Sequence, residues 1–186
     1  MNLLRVVGVV CGVTQLGGIV YVVCDRSSVI KTFSDQALSP LGNIHVERMI
    51  SPSDIVVCRN ERQLYVADAY AACCSPDSSC SYIWRVSVDK CTYVKWLTTD
   101  PTTFFVCTLS MTSRGHLLVT SVYRPQLREY STCDKQLLRV VDLPDVQSLY
   151  HGVETTRGTF VISHRGMSQD ERHAVSEPFS SKCNNI

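Results

Sequence analysis

Gln63-Leu64-Tyr65-Val66-Ala67-Asp68 is a short β-rich run that closes on an aspartate, and three other stretches of the 186-residue chain can be laid over it. They are Ile19-Val20-Tyr21-Val22-Val23-Cys24, His116-Leu117-Leu118-Val119-Thr120-Ser121 and Thr159-Phe160-Val161-Ile162-Ser163. Each reads as a core strand, because β-branched and aromatic side chains fit a pleated, buried surface. With Tyr21, Tyr65, Leu118 and Phe160 taken as equivalent, the successive spacings are 44, 53 and 42 residues. Spacings of that size mark a repeat architecture.

The register extends outward from the core strand. Ile30 and Phe33 stand six and nine residues after Cys24, and Leu127 and Tyr130 stand six and nine after Ser121. In the second repeat the matching pair, Ile83 and Val86, is displaced by nine further residues, which places one insertion at about Ala71 to Cys80. Without it the 53-residue step returns to 44. Four strands fit each repeat. The first strands fall near Val9–Thr14, Asp54–Cys58, Phe104–Leu109 and Leu149–Glu154. The third fall near Val29–Phe33, Tyr82–Ser87 and Gln126–Tyr130, and the outermost near Ile44–Arg48, Thr92–Leu97 and Leu137–Val141. Charge on the outer set (His45, Glu47, Lys95, Arg139, Asp142) suits an exposed edge. Glycine in three of the four turns before the core strands supplies positive φ for tight hairpins. Helical periodicity is nowhere sustained, so the fold class is all-β. Four strands per repeat of about 44 residues is the arithmetic of a β-propeller with four-stranded antiparallel blades.

Composition bounds the rest. With 45% hydrophobic and 19% charged residues the chain is globular and long enough to bury a core. A formal net charge of +1 lends no long-range field for RNA or an anionic membrane. Ten cysteines would suit a disulfide framework in a small secreted domain, but Cys11, Cys24, Cys58 and Cys107 sit in or beside apolar β runs, where a thiol packs as a small hydrophobe. A reduced, cytoplasmic setting is the expectation, with an extracellular one still open. The apolar N-terminal run from Val6 to Val23 is interrupted by Thr14, Gln15, Gly17 and Gly18 and is read as strands, not as a targeting or membrane segment.

Ser51-Pro52-Ser53-Asp54-Ile55-Val56-Val57, then Gln63 to Asp68, then Ile83-Trp84-Arg85-Val86 resembles the NHL repeat: a proline, an apolar strand, a "YVAD" strand and an "RIQVF"-like strand. The match is best from Pro52 to Val86. The first repeat keeps Tyr21-Val22-Val23 and Ile30-Lys31-Thr32-Phe33 but has Cys24 in place of the aspartate, and the third and fourth have Ser121 and Ser163 there. The resemblance spans Val9 to Ser163. It implies blades at about 1–48, 49–98, 99–143 and 144–177, followed by a polar tail at 178–186. That gives three complete blades and part of a fourth, where NHL-like propellers have five or six. The chain is therefore read as an open arc, either a fragment or a piece that self-associates through its open blade edges.

Loops after the second strands share one face with the connectors entering each blade, and loops on a rigid scaffold carry binding. The rim expected there consists of Arg26, Tyr70, Tyr123, Arg124, His164 and Arg165, and arginine and tyrosine favour interaction hot spots. The inserted loop brings Cys73, Cys74 and Cys80 together as free thiols, with a disulfide from Cys80 to Cys73 or Cys74 as the competing reading. Their spacing lacks the paired Cys-x-x-Cys units of a zinc site. Asp68, at a strand end, is read as bonding nearby loop amides. His116, His151 and His164 lie at strand ends in different repeats and are read as structural. No nucleophile elbow is present. The expectation is a non-catalytic interaction module that binds a protein partner and needs no cofactor or metal. Two alternatives remain: a fragment of a metal-dependent propeller hydrolase, lactonase or lyase, and the substrate- or RNA-binding propeller of a tripartite-motif ubiquitin ligase.

Overall fold

The computed structural model describes residues 6–69, 81–90, 92–99, 104–121, 124–146 and 148–164. Its strands form blades in chain order. Blade 1 holds β1 (Val10–Leu16), β2 (Ile19–Cys24), β3 (Val29–Ser34) and β4 (Pro40–His45). Blade 2 holds β5 (Pro52–Cys58), β6 (Gln63–Asp68), β7 (Ser81–Ser87) and β8 (Thr92–Thr99). Blade 3 holds β9 (Val106–Met111), β10 (Leu117–Ser121), β11 (Gln126–Tyr130) and β12 (Leu137–Asp142). The fourth contributes β13 (Leu149–Glu154) and β14 (Phe160–His164). Each blade is an antiparallel meander with strands hydrogen-bonded in sequence order. Among the described residues there are three four-stranded sheets and one two-stranded sheet, an all-β partial propeller.

The alternation of side chains across each strand builds the core between blades, not within one sheet. On β2, Tyr21 and Val23 face blade 2 and pack with Ile55, Leu64 and Val66. Val22 and Cys24 turn the other way and pack with Phe33. Tyr65, Ala67 and Ile83 of blade 2 meet Val106, Leu109 and Val119 of blade 3. There Trp96 stacks edge-on between Tyr65 and Tyr130, with ring centroids at 5.1 and 6.2 Å. Leu118 and Leu127 then meet Leu149, Phe160 and Ile162. Each such fully buried side chain stabilises by about 1.5–3 kcal/mol, so the blade interfaces carry the fold.

Two expectations shift. The first outer strand runs over Pro40–His45 instead of Ile44–Arg48, because the Val46 amide leaves the ladder to bond the Ser28 carbonyl at 2.8 Å. Pro40 opens that strand on an exposed edge, where a missing N–H is harmless. In the fourth repeat the residue equivalent to Tyr65 and Leu118 is Val161, one position beyond Phe160. The hairpin turns show it: Arg62 N–H bonds Arg59, Gly115 N–H bonds Thr112 and Gly158 N–H bonds Thr155, so each core position lies three residues after the turn donor. A slip of one residue exchanges the two faces of a strand. Phe160 accordingly joins the core with blade 3.

Cys24 and Cys58 are buried and unpaired, as core thiols are expected to be, and Cys11 is half-buried. Burial pushes the Cys11 and Cys58 thiols above their ordinary range, which makes them poor nucleophiles.

Candidate interaction surface

β6 ends on Asp68, whose carboxylate is fully buried and, among the described residues, has no ion-pair partner. It is satisfied by donors instead. Oδ1 accepts the Ser51 amide at 2.8 Å, and Oδ2 accepts the Ile50 amide at 3.1 Å and Trp84 Nε1 at 2.9 Å. A buried carboxylate persists only when so satisfied. These bonds fasten the connector entering blade 2 to both β6 and β7. The Ser51 hydroxyl then donates to Asp25 Oδ1 at 3.0 Å, which braces the loop after β2 against the same connector.

Arg26 stands on that braced loop in left-handed backbone (φ 53°), its side chain 89% exposed and its Nε 3.7 Å from Asp25 Oδ2. A contact that long between exposed groups leaves the guanidinium available to a partner. Arg124 is exposed in the turn before β11, and His164 is exposed at the end of β14. Arg26 and Arg124 lie in the connections after β2 and β10, and His164 ends β14, the second strands of the first, third and fourth blades. Tyr70, Tyr123, Arg165, Cys73, Cys74 and Cys80 lie outside the described residues. Ile50, an exposed apolar residue on the connector held by Asp68, belongs to the same rim. Its place between charged Arg48 and Ser51-Pro52 was the available signal.

The first strands carry polar clips. Asp54 Oδ1 accepts its own neighbour's amide, Ile55, and Oδ2 accepts the Leu109 amide of blade 3, each at 2.8 Å. Burial pushes the Asp54 carboxyl above its ordinary range, against the pull of those two amides and of His151. Thr108 Oγ1 donates to the Tyr150 carbonyl at 2.8 Å, and Ser110 Oγ to the Gly152 carbonyl at 2.7 Å. These side chains tie one blade to the next. Among the described residues, no group of three or more His, Cys, Asp or Glu is arranged to hold a metal ion.

At the other ends of the strands lies a network that sequence reasoning missed. Glu129, with its side chain 3% exposed, accepts from His116 Nδ1 at 2.8 Å and from Arg139 Nε at 2.9 Å, with Arg114 at 3.5 Å. Glu154 meets Arg139 at 3.4 Å and Arg114 at 3.6 Å, and accepts the Ser113 amide. The guanidinium of Arg139 lies 4.6 Å from the Phe160 ring centroid. The network joins blade 3 to the fourth blade. Burial acts to raise the Glu129 carboxyl, but the His116 and Arg139 hydrogen bonds and the charges of Arg139 and Arg114 outweigh it and hold it below the usual range. A carboxylate lowered on folding stabilises above its unfolded value of about 4.3, and that contribution is lost as pH falls through the folded value. Glu129→Gln is therefore expected to lower Tm by roughly 5 °C or more at pH 7, with the difference from wild type shrinking at pH 3. Thermal unfolding followed by circular dichroism at the two pH values checks this. Equal losses at both would show that the charge is not responsible.

No protein-family model matches the sequence, and no curated protein matches it. The fold does have solved relatives. RRP9 WD40 repeats superpose with a TM-score of 0.65 at 12% identity, over 87% of this chain and 47% of that one. Hydrazine synthase of Kuenenia stuttgartiensis gives 0.64 at 15%, over 89% and 46%. The Cps50 (Swd1) β-propeller domain of Myceliophteria thermophila gives 0.61 at 11%, over 83% and 48%. At these identities the likeness establishes the propeller fold alone. The chain spans about half the length of each structure it matches.

Proposed function

We propose that this chain is a non-catalytic interaction module of NHL-like repeats that binds a protein partner on the rim bearing Arg26, Ile50, Arg124 and His164. The observation that carries the reading is the bracing of the rim. Asp68 and Ser51 fix the connector and the loop after β2, so that a guanidinium and an exposed isoleucine are presented with little left to order on binding. An arginine beside an apolar anchor suits a protein surface that offers a carboxylate next to a hydrophobic pocket. WD40-type propellers among the structural neighbours support a protein-interaction role of this general kind.

The test is affinity capture with a matched set of variants. Arg26→Glu combined with Arg124→Glu is expected to weaken capture of the partner by about tenfold or more. Lys135→Glu, an exposed charge in the turn between β11 and β12, is expected to leave it unchanged. Partner recovery that is indifferent to the rim charges would sink this reading, as would recovery abolished by ribonuclease.

A further inference from the structure

Blade 2 carries a cationic groove at the end of its strands opposite the rim. Gln63, Ser87 and Thr92 are cross-strand neighbours at the start of β6, the end of β7 and the start of β8. Arg85 and Val94 form the next row on the same face of the sheet. With Lys90 of the β7–β8 turn they line an open cavity of about 450 Å³. Tyr65 pairs with Arg85 and packs against blade 3, so the groove opens on that side. Blades 1 and 3 flank blade 2, which places the groove away from both ends of the arc.

The guanidinium in this groove lacks a counter-ion, and the other blades show why. Tyr21, Tyr65 and Leu118 are equivalent; beside them stand Thr32, Arg85 and Glu129, followed by Gly42, Val94 and Arg139. In blade 3 the position holds a carboxylate matched by Arg139, and Glu154 of the next blade completes the network. In blade 2 it holds a guanidinium opposite valine. Glu154 pairs with Phe160 as Met111 pairs with Leu117, so the place of Glu154 in the blade that follows Arg85 is taken by Met111. Neither position supplies a carboxylate. Among the described residues, neither Arg85 nor Lys90 has an ion-pair partner. The acids adjoining the groove in sequence are engaged elsewhere: Asp89 accepts Nε and Nη2 of Arg62, each at 2.9 Å, and Glu61 accepts the Thr132 hydroxyl at 2.8 Å. Arg85 is half-buried, and a charge withdrawn from water without a partner costs free energy that a bound anion offsets.

We infer that this groove binds a phosphate group, either as the free anion or on a phosphorylated side chain. Arg85 and Lys90 together match the charge of a phosphate monoester, about −2 at neutral pH. The arginine fork is built to hold two phosphate oxygens, and the Ser87 and Thr92 hydroxyls and the Gln63 amide supply donors for the third. A carboxylate, with one charge and two oxygens, would leave part of this donor set idle.

An NMR titration of the full 186-residue chain tests this. With ionic strength held constant by chloride, inorganic phosphate is expected to shift the Ser87 and Thr92 amide resonances saturably, with a Kd of about 1 mM or lower. Arg85→Gln is expected to raise that Kd by about tenfold or more. Lys90 stands in an exposed turn, so Lys90→Gln keeps the fold and is expected to raise the Kd by about fivefold or more. Lys135→Gln, in the corresponding turn of blade 3 where Glu129 takes the place of Arg85, is expected to leave it unchanged. A short peptide carrying phosphoserine is the second probe. A lower Kd than that of inorganic phosphate assigns the groove to a phosphorylated side chain, and an equal or higher one assigns it to the free anion; both support the site. Absence of a saturable shift at about 20 mM phosphate overturns the inference, as does a Kd that neither Arg85→Gln nor Lys90→Gln changes.

Discussion

Replacement of Asp68 by alanine is expected to cost about 3 kcal/mol or more of unfolding free energy, the largest loss from any single side-chain truncation on the rim. The carboxylate satisfies the Ile50 and Ser51 amides and the Trp84 indole in a site closed to water. Removal leaves three donors short of an acceptor, each costing roughly 1–3 kcal/mol while it stays buried, with relaxation of the connector recovering part of the sum. Asp68→Asn is expected to be nearly as costly despite its equal size, because both oxygens accept and the amide nitrogen would face a donor. Urea unfolding read by tryptophan fluorescence measures the loss, with Trp84 and Trp96 both contributing to the signal. Asp25→Ala serves as the comparison: its carboxylate is partly exposed, so its removal should cost under about 1 kcal/mol. A loss at Asp68 no larger than that at Asp25 would show that the connector is not held by this group. Because the same bonds set the rim, Asp68→Ala should also weaken partner capture under conditions where the protein remains folded.

Gly12→Val is expected to have a comparable effect by another route, steric and not electrostatic. A Cβ at Gly12 would stand 2.7 Å from the Ile55 nitrogen and 3.0 Å from the Asp54 Cα, both backbone atoms of the neighbouring blade. Backbone held in a sheet does not yield as a side-chain end does. Blade 1 would have to move away from blade 2, opening the contacts of Tyr21, Val23 and Ile30 with Ile55 and Val66. Overpacking of a tight core typically costs about 1–3 kcal/mol, and alanine at this site should fall at the upper end with valine beyond it. Gly152→Ala is the instructive contrast. Its Cβ would meet Leu127 Cδ2 at 2.7 Å, the tip of a side chain that can change rotamer, so the expected cost is nearer the lower end. Hydrogen exchange should show the Gly12 variants losing protection first in β1 to β4. Equal protection across all blades would place the strain elsewhere.

Much of the architecture is legible in the chain because strand repeats are local patterns. The recurrence of Tyr21, Tyr65 and Leu118, the matched Ile30, Ile83 and Leu127, and the glycine turns together specify four-stranded blades and their order. Asp68 is legible in part: an aspartate ending a strand commonly bonds the loop amides beside it, a reading preferred in the sequence over a metal or catalytic role, and the Ile50 and Ser51 amides do bond it. The misplacement of the fourth repeat has a plain cause. Phe160, Val161 and Ile162 are all apolar, so residue type cannot tell which of them faces which blade, and the aromatic ring of Phe160 imitates Tyr65. Only the bond from Gly158 to Thr155 decides the register.

The bracing of the loop after β2 against the connector into blade 2 is not legible in the sequence. Asp25, Ser51 and Asp68 are distant in sequence, and each alone is an ordinary polar residue. The same holds for Glu129, which needs Arg114 and His116 from the turn before β10 and Arg139 from β12 before its burial is tolerable. By itself, then, the sequence determined the repeat, the strand count of a blade and the alternation that assigns side chains to one face or the other, because these follow from backbone geometry within a few residues. Tertiary structure alone decided which polar groups meet across blades, and that Val13 and Val161 lie exposed at positions buried everywhere else in the arc. Burial is a property of what lies opposite a residue, and only the packing of blade on blade supplies or withholds it.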